Sequence, residues 1–343
     1  MSSPASRIGV AAAIVALFVP VIASVLVVLS VLSQGGVAPD NPFAGKPLFV
    51  DPGSKAATAA NAARVAGDEA DAETFGKIAA VPTAVWLVPE KHPVGKVGPY
   101  VSGIISQAEN MGQMPIFVVY GIPNRDCGNF SGGGLTPEEY PDWVKEIAGA
   151  LADKPAVVIL EPDALALADQ CANVDERLGE INGAVDTLAP TGATIYIDAG
   201  HSNWGPAADM ADLLNRAGVA KVRGFSTNVS NYNATDKEVE YASTISNLTG
   251  GAHYVIDTGR NGNGSNGDWC NPPGRALGTT PAPGAVGLRP GRRSLDQAAG
   301  RERRHLQRRA DRGGVVAAGC PRPGRGHRLV SRPCGHPPCD TDG

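Results

Sequence analysis

The sequence predicts an α/β fold, a run of βα units around a parallel sheet, and three observations carry that prediction. From Ala80 onward, short β-branched and apolar runs alternate with longer amphipathic stretches, the rhythm that crossover helices on a parallel sheet impose. Nearly every run ends in a chemically capable residue, and strand carboxyl ends are where parallel barrels gather their functional groups. With 343 residues, 43% of them hydrophobic, the chain has apolar material for one large core or two modest ones.

Along the chain, residues 1–34 come first and read as a signal anchor. Residues 8–32 are uncharged and rich in Val, Leu, Ile and Ala, and Arg7 precedes them. That run is long enough to span a bilayer and longer than the usual signal-peptide core, which places Arg7 inside and the bulk of the chain outside; a cleaved signal is the alternative. Residues 35–42, with Gly35, Gly36, Pro39 and Pro42, read as a linker into the folded body at 43–280. Strands are predicted at 83–88, 115–120, 156–161, 194–198, 224–227 and 253–257, and helices at 94–111, 137–152, 174–188, 207–217 and 236–248. The run Thr136-Pro137-Glu138-Glu139 supplies a cap, a first-turn proline and acids at the positive end of the helix dipole.

Charge divides the chain in two. The formal net charge is −4, yet residues 281–343 hold 13 Arg and no Lys against 5 acids, a surplus of 8 that leaves about −12 for the rest. An acidic body excludes nucleic acid as the main partner, because phosphate binding needs a basic face. Export makes disulfides available. Cys127 and Cys171 are expected to pair within the body and Cys270 to be left an orphan, with Cys320, Cys334 and Cys339 in the Arg-rich tail. No Cys-x-x-Cys spacing points to zinc.

Several strand ends carry candidate chemistry. Tyr120 opens a loop that places Asp126 beside Arg125 and Cys127; rigid placement suits a catalytic acid, and an ordinary salt-bridged aspartate is the competing reading. Glu161 and Asp163 end an apolar strand, where burial raises a carboxyl pKa toward the range of a general acid. Asp198 and His201 hint at a metal, but no further His–carboxylate pair joins them, so hydrogen bonding to a sugar with Trp204 stacking on its ring is the better reading. Trp86, Trp204 and Trp269 lie beside polar strand ends, placed for sugar faces or simply as rim aromatics. The glycine-rich stretches 132–134 and 261–264 lack the context of a nucleotide-binding turn and read as flexible loops.

Read in order, Tyr-Gly-Ile-Pro-x-Arg-Asp-Cys (120–127), Glu-Pro-Asp (161–163), Tyr-x-Asp-Ala-Gly-His-Ser-x-Trp (196–204), Asn-x-Ser-Asn-Tyr (228–232), Ile-Asp-Thr-x-Arg-Asn-Gly-Asn-Gly (256–264) and Trp-Cys-Asn-Pro-Pro-Gly-Arg (269–275) resemble glycoside hydrolase family 6. The resemblance covers roughly residues 41–280. It implies a distorted, seven-stranded β/α barrel whose top cleft cuts β-1,4-glucan with inversion at the anomeric carbon. It implies that Asp163 is the general acid, that Asp126 keeps Asp163 protonated and helps to place the catalytic water, and that Tyr120 crowds the sugar toward its transition state. Trp86, Ser131, His201, Trp204, Asn228 and Trp269 would line the sugar subsites. No metal or organic cofactor is implied, and the enzyme is expected to be a monomer. The short segment 126–140 favours an open cleft and endo action over chain-end action.

Past Thr280 the resemblance stops. The family expects one more strand with Trp-x-Lys-x-Pro-Gly-Glu-x-Asp-Gly, then a cysteine that pairs with the equivalent of Cys270. Instead, residues 281–343 contain no Phe, Tyr, Trp, Ile, Lys, Asn or Met, a composition that builds no barrel strand and predicts disorder. Residues 295–311 can be encoded so that dropping the first base yields Trp-Ile-Lys-Pro-Pro-Gly-Glu-Ser-Asp-Gly-Thr-Cys-Asn-Gly-Gly-Pro. The seventeen residues constrain the first two bases of most codons, so a frameshift between about 279 and 295 is inferred, with a natural Arg-rich tail as the alternative. The lost strand would supply a Lys and a Glu that bind sugar and an Asp on the base side. The reading is therefore an exported inverting β-1,4-glucanase with a damaged C-terminus. Its rivals are a non-catalytic glucan-binding surface protein that keeps the tryptophans and, less favoured, a metal-dependent polysaccharide deacetylase.

Overall fold

A computed structural model describes residues 41–129 and 131–281. The predicted anchor at 8–32, most of the linker, and all of the tail but its first residue lie outside the described residues. Among the described residues, no helix is long and apolar enough to cross a membrane. Phe43 is already buried.

All six predicted strands form: β1 (Val85–Leu87), β2 (Ile116–Val119), β3 (Val157–Leu160), β4 (Thr194–Asp198), β5 (Gly224–Thr227) and β6 (His253–Ile256). They make one parallel sheet in chain order, β1-β2-β3-β4-β5-β6. Among the described residues the sheet is not closed: β1 and β6 have one neighbouring strand each. The barrel expected to lose its last strand is thus an open six-stranded sheet here.

Each crossover is helical. Helix α1 (Lys55–Ala66) and α2 (Glu69–Ala79) precede β1, and α3 (Val97–Asn110) leads to β2. Helix α4 (Glu139–Leu151) leads to β3, α5 (Ala164–Leu167) and α6 (Val174–Leu188) to β4, α7 (Ala207–Arg216) to β5 and α8 (Thr235–Leu248) to β6. The cap foreseen at Thr136 is a reciprocal box: Thr136 Oγ1 accepts from Glu139 N (3.2 Å) and Glu139 Oε2 accepts from Thr136 N (3.3 Å).

Strand alternation sorts the side chains into two layers. Phe117, Val119, Val158, Leu160, Ile195, Ile197 and Phe225 face the helices and pack with Ile104, Trp143, Ile147, Ile181, Leu214 and Ile245. The alternate residues Val118, Tyr120, Val157, Ile159 and Tyr196 form a smaller cluster on the other face, with Met114 and Phe43. Both faces are largely apolar, as parallel strands require, and most of the polar groups appear at or near the strand ends. That placement is what creates a site.

Helices α1 and α2 escaped the sequence reading. They bury only Ala60 and Ala72, so no apolar stripe marks them. Local signals hold them instead: Ser54 and Asp68 cap their starts, and Gly67 ends α1 at φ 80°.

Gly224 shows how tightly β5 and β6 approach, because a methyl group there would collide with the His253 carbonyl. Gly224→Ala is expected to lower stability by about 2 kcal/mol or more through forced strand separation. Urea unfolding of the two proteins measures it, and equal midpoints would contradict this packing.

Candidate active site

The site grows from the ends of β2, β3 and β4. Strand β2 runs into Tyr120 and then a loop that folds back on itself: Arg125 N donates to Gly133 O (3.1 Å) and Leu135 N to Gly121 O (3.0 Å). At its tip Asp126 is buried and accepts from the hydroxyls of Tyr120 and Ser131, both on the same Oδ2. Three side chains that the resemblance linked to catalysis or sugar binding therefore meet on one carboxylate oxygen.

What holds this loop is a buried carboxylate on the neighbouring strand. Glu161 accepts from Gly121 N at both oxygens (3.1 and 3.0 Å), from Ile122 N (3.1 Å) and from the Tyr140 hydroxyl (3.0 Å). Two arginines add to the hold. Arg125 donates to Tyr120 O and Ser131 O (both 2.8 Å), pairs with Glu90 (3.0 Å) and lies over the Tyr120 ring at 4.4 Å. The fully buried Arg177 of α6 donates to Pro123 O (2.8 Å) and Asn124 O (3.1 Å). The expected disulfide Cys127–Cys171 is present and ties the loop to the segment after α5. Cys270 is also disulfide-bonded, which corrects the expectation of an orphan; that expectation weighed only the body cysteines against one another.

Asp163 sits half-buried just past β3, and its backbone N donates to Asp198 Oδ1 (3.0 Å) at the end of β4. Asp198 accepts two more hydrogen bonds, from Gly200 N (2.8 Å) and the Ser226 hydroxyl (3.1 Å). Burial, then the charges of Asp198 and Asp126, push the Asp163 carboxyl well above its usual range. Burial raises Asp198 to about 7 against the donors that favour its charged form. Among the described residues Asp198 has three donors for its charge and no hydrogen bond to the Asp163 carboxyl, an arrangement that favours the proton on Asp163. Asp126, Cys127, Glu161 and Asp163 all adopt positive φ (53°, 53°, 48° and 68°), backbone strain concentrated at one site.

The sugar-binding candidates divide. Trp86 packs edge-on against Tyr120 (centroids 5.2 Å apart), beside the acid loop. His201 and Trp204 lie together after β4 with ring centroids 4.7 Å apart. Burial lowers His201 to about 4, so the ring is neutral near pH 7, and its Nδ1 accepts from Asn203 N (3.3 Å). The ring proton is therefore on Nε2, the nitrogen left to donate. Asn228 is fully buried, donates to Asn233 O (3.3 Å) and Asp257 O (2.8 Å), and accepts from Asn233 N (3.0 Å). It braces the end of β5 against β6. Trp269 is 60% exposed on the loop after β6, which is closed by Thr258 Oγ1 donating to Thr279 O (2.7 Å).

Sequence reasoning missed four supports, namely Glu90, Tyr140, Arg177 and Ser226, and it read Glu161 and Asp198 without their partners. A carboxylate ending an apolar run was a usable signal for Glu161. Nothing local marks Arg177, which lies in an ordinary amphipathic helix.

Comparison with known proteins bears on what this arrangement does. The family model for glycosyl hydrolases family 6 matches residues 43–286. The chain is 41% identical over 237 residues to endoglucanase A of Cellulomonas fimi, covering 68% of this chain and 51% of that protein. It is 40% identical over 247 residues to endoglucanase 1 of Streptomyces halstedii, covering 68% and 74%. Among solved structures it resembles the endoglucanase Cel6 from Mycobacterium tuberculosis in complex with methyl-cellobiosyl-4-deoxy-4-thio-β-D-cellobioside. That likeness has a TM-score of 0.68 at 44% identity and covers 73% of this chain and 86% of that one. The chain thus spans about half the length of the Cellulomonas relative.

The raised carboxyls give a pH prediction. A carboxyl raised in the folded state stabilises fully below its unfolded value and loses that stabilisation as pH rises through the folded one. For Glu161 the window runs from 4.5 to about 7. Thermal unfolding midpoints should therefore be higher at pH 5 than at pH 8, and Glu161→Gln should shrink that difference by roughly 2 kcal/mol. An unchanged pH slope in the variant would sink this assignment.

Proposed function

The chain belongs to glycosyl hydrolases family 6, and from that premise we propose that it hydrolyses β-1,4-glucosidic bonds of cellulose-like glucans with inversion. The observation that carries the reading is the group of carboxyls Asp126, Asp163 and Asp198, in which burial and the neighbouring charges raise Asp163 well above its usual range and so favour a proton there, at the mouth of β3. Asp163 donates that proton to the departing glycosidic oxygen. Asp126, held by Tyr120 and Ser131, keeps negative charge beside Asp163 and helps to position water. The Tyr120 ring, wedged between Trp86 and Arg125, crowds the sugar at the cleavage point. In an inverting enzyme, water attacks from the opposite face with help from a separate base. Trp86, Trp204 and Trp269 supply stacking faces, and His201 Nε2 a donor. The chemistry uses acid, base and water, with neither metal nor organic cofactor.

The endo mode is supported by the endoglucanase names of the relatives and by the short loop between Asp126 and α4. The base would come from a seventh strand, and we place that strand in the out-of-register reading of residues 295–311. Two observations support this: β6 is an edge among the described residues, and the family match ends at residue 286. Export and anchoring through residues 8–32 complete the proposal, with the catalytic body outside the membrane and acting as a monomer.

The same open edge favours the rival reading, a glucan-binding protein without turnover. Hydrolysis of soluble carboxymethylcellulose by residues 40–343 separates the two. Weak but measurable turnover is expected, abolished at least 100-fold by Asp163→Asn. A second protein whose gene restores the alternative frame from codon 295 is expected to gain activity 10-fold or more. Binding without turnover in both proteins would establish the rival. Resequencing codons 275–320 tests the frameshift itself, and an unaltered frame together with normal turnover would refute it.

A further inference from the structure

Behind Asp198 lies a carboxylate that the mechanism above leaves unused. Glu238, in the first turn of α8, is completely buried. Its Oε1 accepts from Ser202 N (2.9 Å), in the middle of the loop that carries His201 and Trp204. Its Oε2 has no hydrogen-bond partner among the described residues. The same loop has a second tie to this region, since Asn203 Nδ2 donates to Asn233 Oδ1 (2.6 Å) just before α8.

We propose that Glu238 is a positioning residue of the acid site, with two functions: it anchors the 201–204 loop through Ser202, and it sets one more buried carboxyl group behind the end of β4, beside Asp198. The proposal rests on Asp163 being the acid.

The groups that face Glu238 fix the sign of its effect. They are Asp198 at the end of β4 and, from α8 itself, Tyr241, whose hydroxyl donates to Ala199 O (3.4 Å). Glu238 contributes to raising Asp198, and both charges help to raise Tyr241, the effect of burial being larger. A charge that makes Asp198 harder to ionise makes the coupled Asp163 harder to ionise too. The anchoring function is separable from the charge. A glutamine keeps an oxygen for Ser202 N but carries no charge, whereas an aspartate keeps the charge on a side chain one methylene shorter.

Carboxylate titration by carbon-13 NMR of the full chain tests this without requiring turnover. In Glu238→Gln the coupled Asp163 and Asp198 titrations should move down by roughly half a pH unit or more, with the His201 resonances nearly unmoved. In Glu238→Asp those titrations should stay within about 0.2 unit of the parent, while the His201 and Trp204 resonances shift as the loop loosens. Cellotetraose added to each protein then reads the subsite: weaker quenching of Trp204 fluorescence is expected only for the aspartate variant. Unmoved carboxylate titrations in Glu238→Gln would overturn the charge function, and unmoved loop resonances in Glu238→Asp would overturn the anchor. If cellotetraose perturbs none of the proteins, the glucan reading fails while the titrations still decide the role of Glu238.

Discussion

Mutual repulsion among Asp126, Asp163 and Asp198 is the constraint to which the rest of the site answers. Three carboxylates at the ends of neighbouring strands cannot all ionise cheaply in a partly dry environment. The protein resolves the conflict by distributing donors unequally. Asp126 receives two hydroxyls and Asp198 two backbone N–H groups and a hydroxyl. Asp163 is left as the member for which a proton is the best partner.

Such an arrangement works only if the loops cannot drift to relieve it. The β2 loop is therefore fixed from four sides: Glu161 on its first N–H groups, Arg125 across its width, Arg177 beneath its carbonyls, and the Cys127–Cys171 disulfide at its tip. Left-handed backbone at Asp126, Glu161 and Asp163 stores strain of about 1–3 kcal/mol per residue, which persists because these contacts over-determine it. The parallel sheet makes this possible: its two apolar faces build the core, and its strand ends bring residues distant in sequence within hydrogen-bond reach.

Much of this was legible before any coordinates. Strands β1 to β6 read clearly because a parallel sheet writes each strand as a short apolar run, and α6 because its stripe repeats over fifteen residues. The Cys127–Cys171 bridge was also readable, and Asp163, Asp126 and Tyr120 stood out as candidates, since they fall at strand ends or in a dense motif. Helices α1 and α2 were not, because they bury one alanine each and depend on caps. Asn228 was ambiguous because a buried amide that braces two strands and an amide that meets a ligand look alike in sequence. Arg177 and Glu238 were invisible for a related reason: a charge on a helix reads as solvated until tertiary packing shows that it points inward.

The position of one proton decides most directly whether Asp163 is the acid. Neutron diffraction from deuterium-exchanged crystals of the full chain at pH 6 would locate it. A deuteron is expected on a carboxyl oxygen of Asp163 and none on Asp126, with Asp198 accepting from Asp163 N, Gly200 N and Ser226. Three bare carboxylates, or a deuteron on Asp126 with Asp163 ionised, would contradict it.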